Sequence, residues 1–122
     1  MKYIYVLCLV VLASVYAKET YTTENDDLDI EALVKNLSAL REFAGCFLDT
    51  VECNPVAGDF KKDIAEAVAQ SCEKCTDSQK HIFNRFLEGL KEKLPTEYEA
   101  FKKKYDADGK HFPALEAAVA NF

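Results

Sequence analysis

Apolar residues recur along the chain at spacings of three and four, the period of an amphipathic α-helix, rather than at the alternating spacing of a strand. A polar stretch, Y21-T-T-E-N-D-D27, precedes this pattern, and we expect it to be mobile. The pattern then predicts six helices and no strand. The fold class indicated is all-α, a six-helix globular bundle.

Three helices are predicted in the first part of the chain. One spans 28–36, with Asp26 and Asp27 suited to its start. A second begins at Ser38, and a turn at Pro55 and Gly58 precedes a third over about 58–73. Their apolar faces carry Ile30, Leu33, Val34 and Leu37, then Leu40, Phe43, Ala44, Phe47 and Leu48, then Phe60, Ile64, Ala67, Val68 and Cys72.

Three further helices are predicted from their end signals. Thr76-x-x-Gln79 is a capping box that opens a fourth helix, which Pro95 stops. Thr96-x-x-Glu99 predicts the same device for a fifth, ended by D106-A-D-G109, and Pro113 begins a short sixth. Their apolar faces carry Ile82, Phe83, Phe86, Leu87, Leu90 and Leu94, then Tyr98, Phe101 and Tyr105, then Phe112, Leu115, Val119 and Phe122.

The first seventeen residues have the pattern of a secretory signal peptide. Lys2 is followed by an apolar run from Ile4 to Leu12 and by small residues around Ala17. The run is too short for a stable membrane anchor. We therefore expect a signal peptide over 1–17 and one mature all-α domain over 18–122, a soluble secreted monomer with no stable membrane insertion.

The charge balance excludes two kinds of partner. The chain carries 15 basic and 21 acidic residues, for a formal net charge of −6, and cleavage would remove one lysine and no acid. Nucleic acids and anionic membrane surfaces are poor partners for such a protein. We expect no nucleic-acid partner.

Four cysteines remain once Cys8 is cleaved away with the signal peptide. A four-cysteine zinc site normally has two C-x(2–4)-C pairs, but only Cys72 and Cys75 have that spacing. A thioredoxin-type redox pair needs a preceding strand, and none is predicted. An oxidising compartment favours disulfides instead.

The residues alone leave the disulfide pairing open among three connectivities. Loop-closure entropy gives about 3.6 kcal/mol for a loop from Cys46 to Cys75, against about 2.5 for Cys46–Cys53 and about 1.9 for Cys72–Cys75. Stability alone thus favours the long crossings. The local pairs, however, span predicted helix ends, where Cα atoms easily come within bonding distance.

Neither catalysis nor metal binding has support in the sequence. His81 and His111 occupy polar positions, and no pair of carboxylates shares an apolar face where burial would raise a pKa. D106-A-D-G109 fails as a calcium loop because Lys104 and Leu115 fall where carboxylates are required. We predict no enzymatic activity, no catalytic residue, no metal site and no cofactor.

The cysteine spacing C46-x6-C53-x18-C72-x2-C75 stands between Y21-T-T and D29-I-E-A-L on one side and K104-Y-D-A-D-G109 on the other. In these motifs, from about Tyr21 to Lys110, the chain resembles the insect chemosensory proteins, also called the OS-D type. The resemblance implies local Cys46–Cys53 and Cys72–Cys75 disulfides and six helices around an apolar channel. It also implies carriage of long-chain apolar molecules such as fatty acids, alcohols, esters or odorant-like and pheromone-like compounds.

The resemblance also indicates which aromatic residues face the channel. Phe43, Phe60 and Tyr98 stand where the family commonly has tyrosine, leucine and tryptophan, and this chain has no Trp. Taken singly, each large apolar residue is better explained by core packing; the resemblance favours a pocket for the set. The predicted ligand-binding residues are Ile30, Leu33, Phe43, Phe47, Phe60, Ile64, Val68, Ile82, Phe83, Phe86, Tyr98 and Phe101.

The C-terminal segment supplies an alternative. Phe112 to Phe122 is apolar, where the resembled proteins are often basic. The alternative hypothesis is an extracellular structural or protein-interaction helical protein, whose C-terminal segment docks on a partner or on itself.

Overall fold

The computed structural model describes residues 19–122, which form six α-helices and, within that range, no strand. The helices are α1 (Ile30–Lys35), α2 (Leu37–Phe47), α3 (Pro55–Ala69), α4 (Asp77–Lys93), α5 (Pro95–Tyr105) and α6 (Phe112–Val119). The prediction of an all-α, six-helix fold is confirmed. The predicted signal peptide lies outside the described residues. Among the described helices, none has the length and apolar character needed to cross a bilayer.

The helices pack around α4, the longest of them. It contacts α1, α5 and α6, while α2 contacts α1, α3 and α5. A Cβ atom added at Gly89 of α4 would stand 3.0 Å from Cγ1 of Val34. Gly89 therefore lets α1 approach α4 closely.

All three helices in the first part of the chain begin at residues other than those predicted. The second, α2, begins at Leu37 rather than Ser38, with Asn36 as its N-cap. The Asp29 carboxylate, rather than Asp26 or Asp27, caps α1 by accepting from the Ala32 N–H at 3.1 Å. Asn54 caps α3, so this helix spans Pro55–Ala69 instead of 58–73. The prediction of a turn at Pro55 and Gly58 is wrong because the fixed φ of proline suits the first turn of a helix.

Of the two predicted capping boxes, the one at the start of α4 is present and the one at the start of α5 is not. The capping box of Thr76 and Gln79 is confirmed, with both reciprocal hydrogen bonds present. The second predicted box, Thr96-x-x-Glu99, is wrong, because α5 begins at Pro95 and no side chain caps it. Proline has no N–H to satisfy, so this helix start has one unpaired donor fewer. A single residue, Leu94, separates α4 from α5.

The polar stretch 21–27 is held against the corner between α3 and α4. The Tyr21 N–H donates to the carbonyl of Lys74 at 2.9 Å, and Nε2 of Gln79 donates to the carbonyl of Thr22 at 2.8 Å. The sequence led us to expect a mobile segment, whereas these hydrogen bonds hold it against the helices. The stretch forms part of the folded body.

Two local disulfides close the corners on either side of α3. Cys46–Cys53 joins the end of α2 to the loop before α3, with the Cα atoms 4.8 Å apart. Cys72–Cys75 closes the turn between α3 and α4, with the Cα atoms 5.0 Å apart. This is the pairing that the resemblance implied.

The C-terminal helix packs on its own chain. Phe112, Leu115 and Val119 are 2% or less exposed. The Asp106 carboxylate begins the helix by accepting from the N–H groups of His111 and Phe112 at 2.9 and 2.8 Å. Burial would raise the pKa of Asp106, but these hydrogen bonds outweigh it and the pKa is lowered. The apolar face of α6 thus docks on the chain itself.

Candidate functional site

An apolar cavity lies between α1, α2, α3 and α4, with one residue from α5. The space that the centre of a water-sized sphere can reach is about 70 Å³. A single water needs about 10–15 Å³ by the same measure, so the cavity is small, with room for only a few waters. It is lined by Tyr21, Leu28, Ile30, Leu33, Phe43, Phe47, Phe60, Asp63, Ile64, Ala67, Cys75, Gln79, Ile82, Phe83, Phe86 and Phe101.

Aromatic rings in edge-to-face contact form much of this lining. The rings of Phe47 and Phe86 are 5.3 Å apart at 74°, and Phe86 lies 6.0 Å from Phe101 at 72°. Phe43 meets Phe47 in the same way at 6.0 Å. Such contacts are favourable beyond the area they bury. The rings therefore give the cavity a defined apolar surface.

The polar end of the cavity, here called the mouth, consists of Tyr21, Phe60, Asp63 and Gln79. These four residues also line an outer, more polar cleft formed by the N-terminal stretch and the start of α3. The mouth is therefore the place where the apolar interior meets the polar surface.

Two of the three polar side chains of the mouth are already hydrogen-bonded. The Tyr21 hydroxyl donates to Oε1 of Glu66 at 2.7 Å, and burial together with this bond raises its pKa. Oε1 of Gln79 accepts from the Thr76 N–H at 3.0 Å, and its Nε2 donates to the Thr22 carbonyl. Both side chains hold the N-terminal stretch in place.

Asp63 is the exception at the mouth. Within residues 19–122 no donor hydrogen-bonds its carboxylate. Partial burial, and next the neighbouring charge of Glu66, raise the pKa of Asp63. The mouth therefore presents a part-buried acceptor that has no hydrogen-bond donor among residues 19–122.

Ten of the twelve predicted ligand-binding residues line this cavity: Ile30, Leu33, Phe43, Phe47, Phe60, Ile64, Ile82, Phe83, Phe86 and Phe101. Val68 is fully buried in the core but does not border the cavity. Tyr98 does not border the cavity and packs against α6 instead. Its ring is 6.2 Å from that of Phe112, and its hydroxyl donates to Oε1 of Glu116 at 2.6 Å.

Six lining residues were not predicted: Tyr21, Leu28, Asp63, Ala67, Cys75 and Gln79. Spacing alone could have indicated two polar ones. Asp63 follows Phe60 by three positions, and Gln79 precedes Ile82 by three, so each shares a helical face with a predicted residue. They were not predicted because only apolar and aromatic positions were taken as ligand-binding residues. Tyr21 and Leu28 precede the first helix, where no periodicity operates.

No group of three or more histidine, cysteine or acidic residues in the described part of the chain lies close enough to hold a metal ion. The four cysteines in that part are joined in disulfides. Within the described residues, the cavity offers an apolar surface with the Asp63 carboxylate at its edge.

A small helical fold around an apolar cavity defines a class of binding proteins. The family described as "Insect pheromone-binding family, A10/OS-D" matches residues 21–113, and the chain belongs to this family. The resemblance stated from the sequence is confirmed. Because this is a family of binding proteins, the prediction that the chain is not an enzyme is confirmed as well.

Individual proteins show the same similarity. Ejaculatory bulb-specific protein 3 of Drosophila melanogaster is 29% identical over 108 residues, covering 88% of this chain and 86% of its own. Allergen Tha p 1 of Thaumetopoea pityocampa is 29% identical over 105 residues, covering 84% and 83%. A solved chemosensory protein in complex with bromo-dodecanol has a TM-score of 0.74 at 23% identity, covering 80% of this chain and 98% of its own. It shares the fold.

Proposed function

We propose that this protein is a secreted, monomeric carrier that binds long-chain apolar molecules in the cavity between α1 and α4. Fatty acids, alcohols, esters and pheromone-like or odorant-like compounds are the ligand classes considered. The observation that carries the proposal is a cavity lined by apolar side chains except at its mouth. The bromo-dodecanol held by the solved protein of similar fold supports the same kind of ligand.

The ligand chain would lie among the ten predicted residues that line the cavity, with its polar end at the mouth. Because the cavity is smaller than a long-chain ligand, side chains such as Phe60 and Phe83, which are only partly buried, must move as the ligand enters. About a dozen buried methylenes gain at most about 10 kcal/mol, and lost freedom takes several kcal/mol back. The expected affinity is therefore about micromolar.

The alternative role, docking on a partner through the C-terminal segment, has less support. The apolar face of α6 is buried against α3 and α4. Of the segment's large apolar residues, Phe122 is exposed at 41%, and Nζ of Lys80 lies 4.6 Å above its ring. Little apolar surface is left for a partner.

The test is a titration of the oxidised protein with an apolar naphthylamine fluorophore, followed by displacement with long-chain acids, alcohols and esters. We expect saturable micromolar binding with an optimum in chain length. Phe43→Ala, which removes a ring of the cavity, should weaken fluorophore binding by roughly tenfold, equivalent to about 1.4 kcal/mol.

Tyr98→Ala is the matched control, because it removes an aromatic ring that lies away from the cavity. It should leave fluorophore affinity within about twofold while circular dichroism confirms that the variant is folded. Absence of saturable binding by the wild-type protein would overturn the proposal. Equal weakening by both variants would place the ligand elsewhere.

A further inference from the structure

We propose that Asp63 makes the cavity select chains that end in a hydrogen-bond donor, long-chain alcohols in particular, over chains that end in a carboxylate. The inference rests on the function proposed above and names the ligand class of the same cavity. Its basis is the position, partners and charged surroundings of this one side chain.

The position of Asp63 follows from the helical face it occupies. One face of α3 lines the cavity with four residues at helical spacing: Phe60, Asp63, Ile64 and Ala67. Asp63 is thus the one carboxylate among the lining residues. A ligand whose tail lies among the phenylalanines has its polar end close to this group.

The partners of the mouth decide what Asp63 can do. Tyr21 and Gln79, the other polar groups there, are each engaged in holding the N-terminal stretch: the Tyr21 hydroxyl donates to Glu66, and the Gln79 amide bonds the backbone of Thr22 and Thr76. The Asp63 carboxylate accepts none from residues 19–122. A ligand hydroxyl could donate to it without displacing an existing bond. Hydrogen bonds to a charged acceptor are stronger than neutral ones.

The surrounding charges act against an anionic ligand. Of the charged groups around Asp63, Glu66 and Asp59 raise its pKa, while Lys62 and Lys74 lower it. Both lysines are paired with those acids: Nζ of Lys74 is 3.6 Å from Glu66, and Nζ of Lys62 is 3.4 Å from Asp59. A ligand carboxylate at the cavity lining would therefore meet the like charge of Asp63 first. An ester, uncharged but without a donor, should fall between.

The experiment compares ligands that differ only at the polar end. Dodecanol, methyl dodecanoate and dodecanoate displace the bound naphthylamine fluorophore at pH 8 and constant ionic strength. For the wild-type protein, dodecanol should act at about tenfold lower concentration than dodecanoate, since a charged hydrogen bond contributes at least that much. In Asp63→Asn this ratio should fall to within about threefold, each displacement being converted to an affinity with that variant's own fluorophore affinity.

Asp59→Asn is the matched control. It removes the same charge one turn earlier on α3, from a residue that lines the outer cleft but not the cavity. The asparagine can still accept from Asn25, so the N-terminal stretch stays anchored. This variant should keep most of the preference for the alcohol.

The outcomes separate this inference from the carrier function. Equal displacement by dodecanol and dodecanoate in the wild-type protein overturns the role of Asp63 and leaves carriage intact. Equal loss of preference in Asp59→Asn and Asp63→Asn also overturns the role of Asp63. The preference for the alcohol would then come from the overall negative charge near the mouth. Absence of saturable fluorophore binding overturns carriage itself.

Discussion

The region around the cavity and the region around α6 use the same kind of contact for different ends. In the first, the rings of Phe47 and Phe86 meet edge to face at 5.3 Å and border empty space. In the second, Tyr98 and Phe112 meet edge to face at 6.2 Å, away from the cavity. Phe101 belongs to both, at 6.0 Å from Phe86 and from Phe112.

The difference between the two regions comes from what covers the aromatic rings. At the C-terminal end, α6 fills the space with Phe112, Leu115 and Val119, which are almost fully buried. At the other end the cover is the polar N-terminal stretch, which brings Tyr21 and Leu28 to the cavity. Edge-to-face rings therefore make a solid core or a cavity according to the bulk of the segment that closes over them.

The largest effect is expected when one leucine is truncated in each region. Leu115→Ala should lower the free energy of unfolding by about 3–5 kcal/mol, since it opens a hole in solid packing. Leu33→Ala should cost only about 2 kcal/mol, because its side chain already borders empty space and has fewer contacts to lose. Urea unfolding followed by circular dichroism measures both.

The same pair separates stability from binding. Leu33→Ala should change fluorophore affinity, whereas Leu115→Ala should leave it within about twofold. Equal losses of stability would show that the cavity region is packed as tightly as the C-terminal end. The contrast between the two regions would then be lost.

The disulfides give the next largest effect. Cys72→Ser with Cys75→Ser should lower stability by about 1–3 kcal/mol and leave the helical content nearly unchanged, because the bond closes a short loop. Since Cys75 borders the cavity, this pair should also weaken fluorophore binding.

The control is Cys46→Ser with Cys53→Ser. It opens a longer loop, so it should cost slightly more stability. Neither cysteine lines the cavity, so fluorophore binding should be affected less. Loss of the helical circular dichroism signal on opening Cys72–Cys75 would contradict the expectation that this bond stabilises only the turn between α3 and α4.

Helix number and type could be predicted from the sequence because the apolar period is strong in each segment. Helix starts were less predictable, because several capping signals compete. Thr96 matches a capping box, yet the helix begins at Pro95, with Leu94 at the cap position two residues before the predicted one. Asn54 caps α3, so Pro55 and Gly58 lie inside the helix and do not form the predicted turn.

The cavity itself was only partly predictable, since periodicity shows which face of a helix is buried and not what lies opposite. Phe101 and Tyr98 share the buried face of α5, but Tyr98 is turned toward α6 by its contacts with Phe112 and Glu116. Asp63 lies on the face of α3 that lines the cavity, a position that its charge gave no reason to predict. Such placements depend on tertiary packing, which a single sequence does not encode in any local pattern.

The smallest effect concerns Asp49, which ties the loop between α2 and α3 to α3 and α5. Its carboxylate accepts from Lys104 of α5 at 2.8 Å and from Lys61 of α3, and these bonds lower the pKa of Asp49 to about 2. Because the folded-state pKa lies below the ordinary value of about 3.9, the stabilisation is complete above that pH. It is lost as the pH falls through about 2.

Asp49→Asn tests this link without disturbing the backbone. Asp49 has a φ of 62°, a left-handed conformation that asparagine also tolerates. The urea midpoint of the variant should lie slightly below that of the wild-type protein at pH 5–6, because the pair is exposed and screened. The gap should close as the pH approaches 2 and shrink in molar salt. A gap independent of pH would mean that the two lysines hold Asp49 by geometry rather than by charge.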